Sequence, residues 1–308
     1  MSTGSYRESV AVGDGEVLVA PALPDLFEDR GRRSALAAVL AHKAIVIGAA
    51  IVLVITLMAV CAPWLTPIDP TAIAPLERLK GPSLAHPFGT DMLGRDLFSR
   101  VLYGARISLF VGFVIAALSS IIGLVIGLVA GYWRRLDGIV MRLMDALMSI
   151  PGILLAIAFM AISGGSMGNV ILAITIVEVP RVARLVRGTV LSVRRQAYVE
   201  AAVASGSRSL TILLSHILPN TIAPIIIQAT YVCASAMLLE SVLSFIGAGI
   251  PPSIPTWGNI MADGRSIWQL KPSMIFLPAL FLSLTILAIN LVGDGLRDLL
   301  DPRQAGNG

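Results

Sequence analysis

Charge is scarce in this chain. Asp, Glu, Lys and Arg make up 14% of its 308 residues, against 56% hydrophobic. So few charges cannot cover an ordinary soluble domain of this length, which excludes that class. Lysine is scarcer still: Lys43, Lys80 and Lys271 are the only three, and none follows a glycine. The Gly-Lys-Ser/Thr loop that cradles phosphates is therefore missing, so the chain cannot be its own ATPase by that route. Three histidines (His42, His86, His216) and two cysteines (Cys61, Cys233) are scattered without ligand spacing, and no metal centre is expected. Both cysteines lie in apolar stretches far apart, which predicts buried free thiols and no disulfide framework. The His-x-x-x-His spacing of zincins is missing too, and no Gly-x-Ser-x-Gly nucleophile elbow is expected. An enzyme is not read here.

Long apolar runs are what the chain has instead. A helix needs about 20 apolar residues to cross the hydrocarbon core, and that rule predicts spans near 44–65, 106–131, 143–162, 169–188, 221–246 and 273–292. The reading is an all-α membrane protein with six transmembrane helices. Its parts are a tail over 1–42, a transmembrane domain over 43–298 with an outer loop at 66–105 and a cytoplasmic loop at 189–220, and a tail over 299–308. Arg134, Arg135, Arg142, Arg181, Arg184, Arg187, Arg194, Arg195, Arg208, Arg297 and Arg303 then share one face with the N-terminal arginines. The positive-inside rule makes that face, and both termini, cytoplasmic. The mildly positive net charge of +4 is spread by membrane side and forms no nucleic-acid patch. The fourth span ends among Glu178, Pro180 and Arg181, and it crosses only if Arg184 and Arg187 snorkel.

Several local patterns carry expectations. In the outer segment Leu97, Phe98, Val101 and Leu102 recur at helical spacing, which suits either an interfacial helix lying flat or a solvated loop with turns. Gly123, Gly127 and Gly131 continue a four-residue row of small side chains, a contact face for packing within the chain or against a second membrane subunit. Pro151 should kink the third span. Asp145, Glu178 and Glu240 are carboxylates at membrane depth. Glu240 is either a hydrogen-bond anchor for the Gly247-Ala248-Gly249 bend or a lining residue of a translocation path.

One polar island interrupts the apolar chain, from Tyr198 to Asn220. Helix formers stop at Gly206, which suits the left-handed position after a helix end, and Ser207 or Ser209 can cap a second short helix. Small residues Ala201, Ala202, Ala204, Ser205 and Gly206 surround the turn, so another protein could approach the backbone closely. Glu200-Ala201-Ala202, Gly206 and Ile217-Leu218-Pro219 resemble the "EAA" loop of ABC importer membrane subunits, with His216 where the generic pattern has Ile. His216-Ile217-Leu218-Pro219-Asn220, the string through Arg106-Ile107-Ser108-Leu109, Glu240 with Pro251-Pro252 and Trp257-Gly258, and the ending Gly293-Asp294-Gly295-Leu296-Arg297-Asp298 resemble C-type permeases of the dipeptide, oligopeptide and nickel branch. The resemblance runs from about His86.

The resemblance implies a type I ABC importer permease fold with a cytoplasmic coupling helix, in a bacterial inner membrane. It implies a second permease subunit, two ATPase subunits carrying ATP and Mg, and an outer solute-binding protein, with the chain itself holding no cofactor. Tyr198, Glu200, Ala201, Ala202, Ser205, Gly206 and Ser207 would form the ATPase-coupling loop. Peptides are the commonest cargo of that branch; nickel chelates, glutathione and opine-like conjugates are others. A competing reading is an ion-coupled carrier with Asp145, Glu178 and Glu240 as a proton relay.

Overall fold

The structure, a computed structural model, describes residues 39–300. Most of the 1–42 tail and Arg303 lie outside the described residues. Among the described residues the regular structure is helical: α1 Lys43–Val60, α2 Ala62–Leu65, α3 Leu97–Tyr132, α4 Arg134–Ser149, α5 Gly152–Ser163, α6 Met167–Val193, α7 Ala197–Ala204, α8 Ser209–Ile212, α9 Leu218–Phe245, α10 Trp257–Gly264 and α11 Ser273–Leu300. Among the described residues four continuous helices are long and apolar enough to cross a membrane: Lys43–Val60, Leu97–Tyr132, Ser209–Phe245 and Ser273–Leu300. The pair α4 and α5, bent by 89°, makes a fifth if it is counted as one broken span. Pro151 causes the break, because the residue before a proline avoids the helical region and Ile150 is extended at φ −92°, ψ 131°.

The helix α3 departs from expectation at its start. Leu97 to Leu102 form neither a separate flat helix nor a loop: they are the first turns of one 36-residue helix, about 54 Å long at 1.5 Å per residue. Asp96 begins it by accepting from Ser99 N at 2.7 Å, and no proline follows to end it. Leu97, Val101 and Leu102 are buried, and the fully buried Trp257 of α10 donates through Nε1 to Val101 O at 3.1 Å.

The core seam joins α3 to α6. A methyl group added at Gly123, Gly127 or Gly131 would lie 2.6, 2.5 or 2.7 Å from the Cβ of Val182, Val186 or Val190 respectively. The small-residue row is therefore filled from within the chain. Both sets of partners rise together along the sequence, so α3 and α6 run parallel. The α4 and α5 segments between them must bring the chain back across. The outer pair α1 and α11 is antiparallel, with Gly48 against Ala288 and Gly295 against Ile45.

Both cysteines are free, as expected, but only Cys233 is buried; Cys61 is half-exposed.

Candidate coupling interface

Local chemistry builds the polar island into a knob. Gln196 and Ser205 flank α7, and the helix closes with Ser207 N donating to Ala202 O at 3.1 Å and Gly206 N to Val203 O at 3.0 Å. Gly206 sits at φ 77°, a left-handed conformation that glycine adopts without a steric cost. Nothing lies within 4 Å of the space a side chain there would fill. The cap of the second helix differs from expectation: Arg208, and neither Ser207 nor Ser209, takes the N-cap position of α8, with no side-chain bond. Extended backbone at Arg208 already turns the chain, so the serines are not needed.

Burial divides the knob into a root and a tip. Val199 is buried with Ile212, Leu213 and Ile217 in the main apolar cluster, and Ala202 packs against it. Tyr198, Glu200, Ala201, Val203, Ser205, Gly206 and Ser207 are exposed. The tip thus presents one carboxylate among small side chains on a held base.

Arginines in and just past α6, on the chain leading into the knob, tie it to α4 and to the end of α3. Arg187 grips Asp137 of α4 through Nε at 2.5 Å and Nη2 at 2.7 Å, and Arg184 Nη2 donates to Asp145 at 2.5 Å. Arg194, just past α6, donates through Nη1 to Gly131 O and Tyr132 O at 3.1 and 2.8 Å. Its guanidinium also stands 5.1 Å from the Tyr132 ring. Those carbonyls end α3, where the helix dipole favours a cation. The arginines of the fourth expected span are in these ways occupied, a role that charge counting did not foresee.

The three carboxylates at membrane depth have separate partners. Asp145 is paired to Arg184 and exposed. Glu178 is buried, accepting from Ser235 Oγ of α9 at 2.8 Å and Arg181 Nη1 at 3.0 Å. Glu240 is wholly buried and accepts from Ser244 Oγ at 2.8 Å, and the same hydroxyl accepts from Ile250 N at 3.3 Å. Through that hydroxyl Glu240 is linked to the backbone just after the Gly247-Ala248-Gly249 bend.

One string has the Gly-x-Ser-x-Gly spacing that the expectation of no hydrolase nucleophile passes over: Gly164-Gly165-Ser166-Met167-Gly168. Ser166 is there to cap α6, its Oγ accepting from Asn169 N at 3.1 Å. A nucleophile elbow needs a strand before the serine, and the segment before this one is the helix α5.

Helices long and apolar enough to cross a membrane, with an exposed helix–glycine–helix knob between two of them, are compatible with a transport subunit. Comparison with known proteins agrees. The profile of the binding-protein-dependent transport system inner membrane component family matches residues 119–306. The N-terminal transmembrane domain of oligopeptide transport permease C matches residues 33–82, which extends the likeness upstream of His86. The chain is 51% identical over 263 residues to a probable peptide ABC transporter permease protein of Sinorhizobium fredii, covering 85% of this chain and 90% of that one. It is 43% identical over 264 residues to a dipeptide transport system permease protein of Alkalihalophilus pseudofirmus, with 85% and 87% coverage. A glutathione transport system permease protein of Pectobacterium atrosepticum is 42% identical over 264 residues, also at 85% and 87%. The chain belongs to the binding-protein-dependent inner membrane permease family of ABC transporters, in its C-type peptide and nickel branch.

Proposed function

We propose that this chain is one of two permease subunits in an ABC importer that carries peptides inward across a bacterial inner membrane. The exposed α7 tip on its buried root carries the reading: it is a surface for another protein, and it lies among the arginines that mark a cytoplasmic face. Two ATPase subunits, holding ATP and Mg, seat on Tyr198, Glu200, Ala201, Ala202, Ser205, Gly206 and Ser207. Their closure moves α7, and the spans rock to open the path on alternate sides.

Six crossings with both termini cytoplasmic complete the arrangement. The parallel run of α3 and α6 supports it, because two parallel helices need a return crossing between them. Peptide cargo is favoured because the relatives are named for peptides, a dipeptide and glutathione, which is itself a peptide. Among the described residues Asp145, Glu178 and Glu240 bond separate partners, which favours the importer over the relay reading.

Purification from the native membrane in mild detergent tests the proposal. A second permease and two ATPases should co-purify, with ATP hydrolysis stimulated by a peptide-loaded outer binding protein. Recovery of the chain alone, or with partners that hydrolyse no ATP, would overturn it.

A further inference from the structure

Between the knob and the α9 span the helix is wound wider than an α-helix. Leu218 N donates to Leu213 O, five residues back, so Leu213–Ile217 is a π turn within the continuous helix Ser209–Phe245. Pro219 accounts for the need to depart from α geometry here. Pro219 has no N–H for the carbonyl of Ser215, four residues back, and its ring collides with that carbonyl in regular α geometry. Widening the turn removes the collision. Such turns are rare in long helices and recur at functional sites.

His216 lies in this turn and is tied to the knob. Its ring stacks on Tyr198 of α7, with centroids 6.2 Å apart and planes 24° from parallel. Asn220, in the first turn of α9, donates through Nδ2 to both Tyr198 OH at 3.2 Å and His216 O at 2.6 Å. The three residues form a clasp across the π turn. His216 Nδ1, closed off from solvent, has no hydrogen-bond partner among the described residues. A buried nitrogen left so is a cost of the clasped arrangement, and opening the clasp relieves it.

We propose that Leu213–Ile217 is the hinge through which displacement of α7 tilts the α9 span, with His216 and Asn220 as positioning residues that set its angle. The inference rests on the reading of α7 as the ATPase docking element. When α7 is drawn toward a closing ATPase pair, Tyr198 leaves the His216 ring. The π turn, where the helix departs from α geometry, is where α9 then bends.

The test uses the whole importer in proteoliposomes, measuring uptake of isotope-labelled di- to pentapeptides per ATP hydrolysed. His216→Ile and Asn220→Ala should each retain the ATPase subunits while peptide carried per ATP falls about fivefold or more, a usual size for a coupling term. The double variant should be no worse than either single one, because both break one clasp. His216→Phe, which restores a ring over Tyr198, should recover most of the loss. Amide hydrogen exchange at residues 213–218 of the unaltered complex should speed up when a non-hydrolysable ATP analogue binds.

Unchanged peptide per ATP in both single variants, additive losses in the double, or exchange at 213–218 that ignores nucleotide while α7 responds would each overturn the hinge. Loss of the ATPase subunits from His216→Ile would also overturn it, by making the residue part of docking. An unaltered complex that hydrolyses ATP without moving any of the peptides would take the importer reading down first, and the hinge with it.

Discussion

Arg100 and Asp91 meet at 2.7 Å with both side chains almost wholly shut off from solvent. Arg100 Nη1 also donates to Asp263 Oδ2 at 2.9 Å, and Arg95 bridges the same two carboxylates through Nε at 2.6 Å and Nη2 at 2.8 Å. The four side chains bolt the outer segment and the first turns of α3 to α10. Arg100→Met removes one cation from a buried set, and breaking such a pair costs about 3–5 kcal/mol. The lower end is expected, since Arg95 still holds Asp91. A fall in the thermal midpoint of the detergent-solubilised protein checks it, and an unchanged midpoint would show that the cluster contributes nothing net.

The α3 glycines differ sharply from Gly138 in what a methyl group would meet. Gly127→Ala places a Cβ 2.5 Å from Val186 Cβ and 2.6 Å from Ala183 O, so the helices must separate, at a cost of about 1–3 kcal/mol or more. Gly138→Ala meets nothing within 4 Å in the interior of α4, and should stabilise by about 0.5–1 kcal/mol. Midpoints of the two variants, measured side by side, should move in opposite directions.

At the knob, Gly206→Trp and Glu200→Lys should leave the chain inserted and folded. Space around Gly206 is open, and the positive φ costs a non-glycine residue about 1–2 kcal/mol, which is local to the turn. The expected loss is in retention of the ATPase subunits, or in coupled uptake, read by co-purification and transport assay. Normal uptake by both variants would remove the loop from the mechanism.

Outside the membrane, Glu77 ties the outer segment through Lys80 Nζ at 3.2 Å and His86 Nε2 at 3.1 Å. The Lys80 hydrogen bond and charge, with His86 assisting, hold its carboxyl below the ordinary glutamate range. A lowered carboxyl pKa contributes stability that is full above the unfolded value and is lost as pH falls through the folded one. The outer segment should therefore resist limited proteolysis at neutral pH and become cleavable below about pH 4, the range of unperturbed carboxylates. Glu77→Gln should flatten that dependence.

Much of the fold was legible because apolar length is a strong signal. The predicted spans at 44–65, 221–246 and 273–292 fall on α1, α9 and α11. Gly206 and Pro151 were readable for a different reason: each has a backbone restriction that acts on its own position. Where partners decide, the sequence was mute. Arg184, Arg187 and Arg194 counted as inner-face charge, yet Asp145, Asp137 and two carbonyls of α3 take them up, and only the packing of α6 against its neighbours makes those meetings. Leu97 and Val101 read as part of a flat interfacial helix or of a solvated loop because Trp257, which bonds the Val101 carbonyl, lies some 160 positions along the chain. The π turn was hidden behind Pro219: a proline announces that a helix must give way, without saying whether by ending, kinking or widening.

Val182, Val186 and Val190 seat in the notches of Gly123, Gly127 and Gly131 like teeth in a rack. A rack does not slip by fractions of a tooth; it holds, or it jumps a whole helical turn of about 5.4 Å. Over the small displacements of a working cycle α3 and α6 behave as one stiff beam. Whatever gap passes a peptide must open along other seams, where the surfaces are smooth enough to shear.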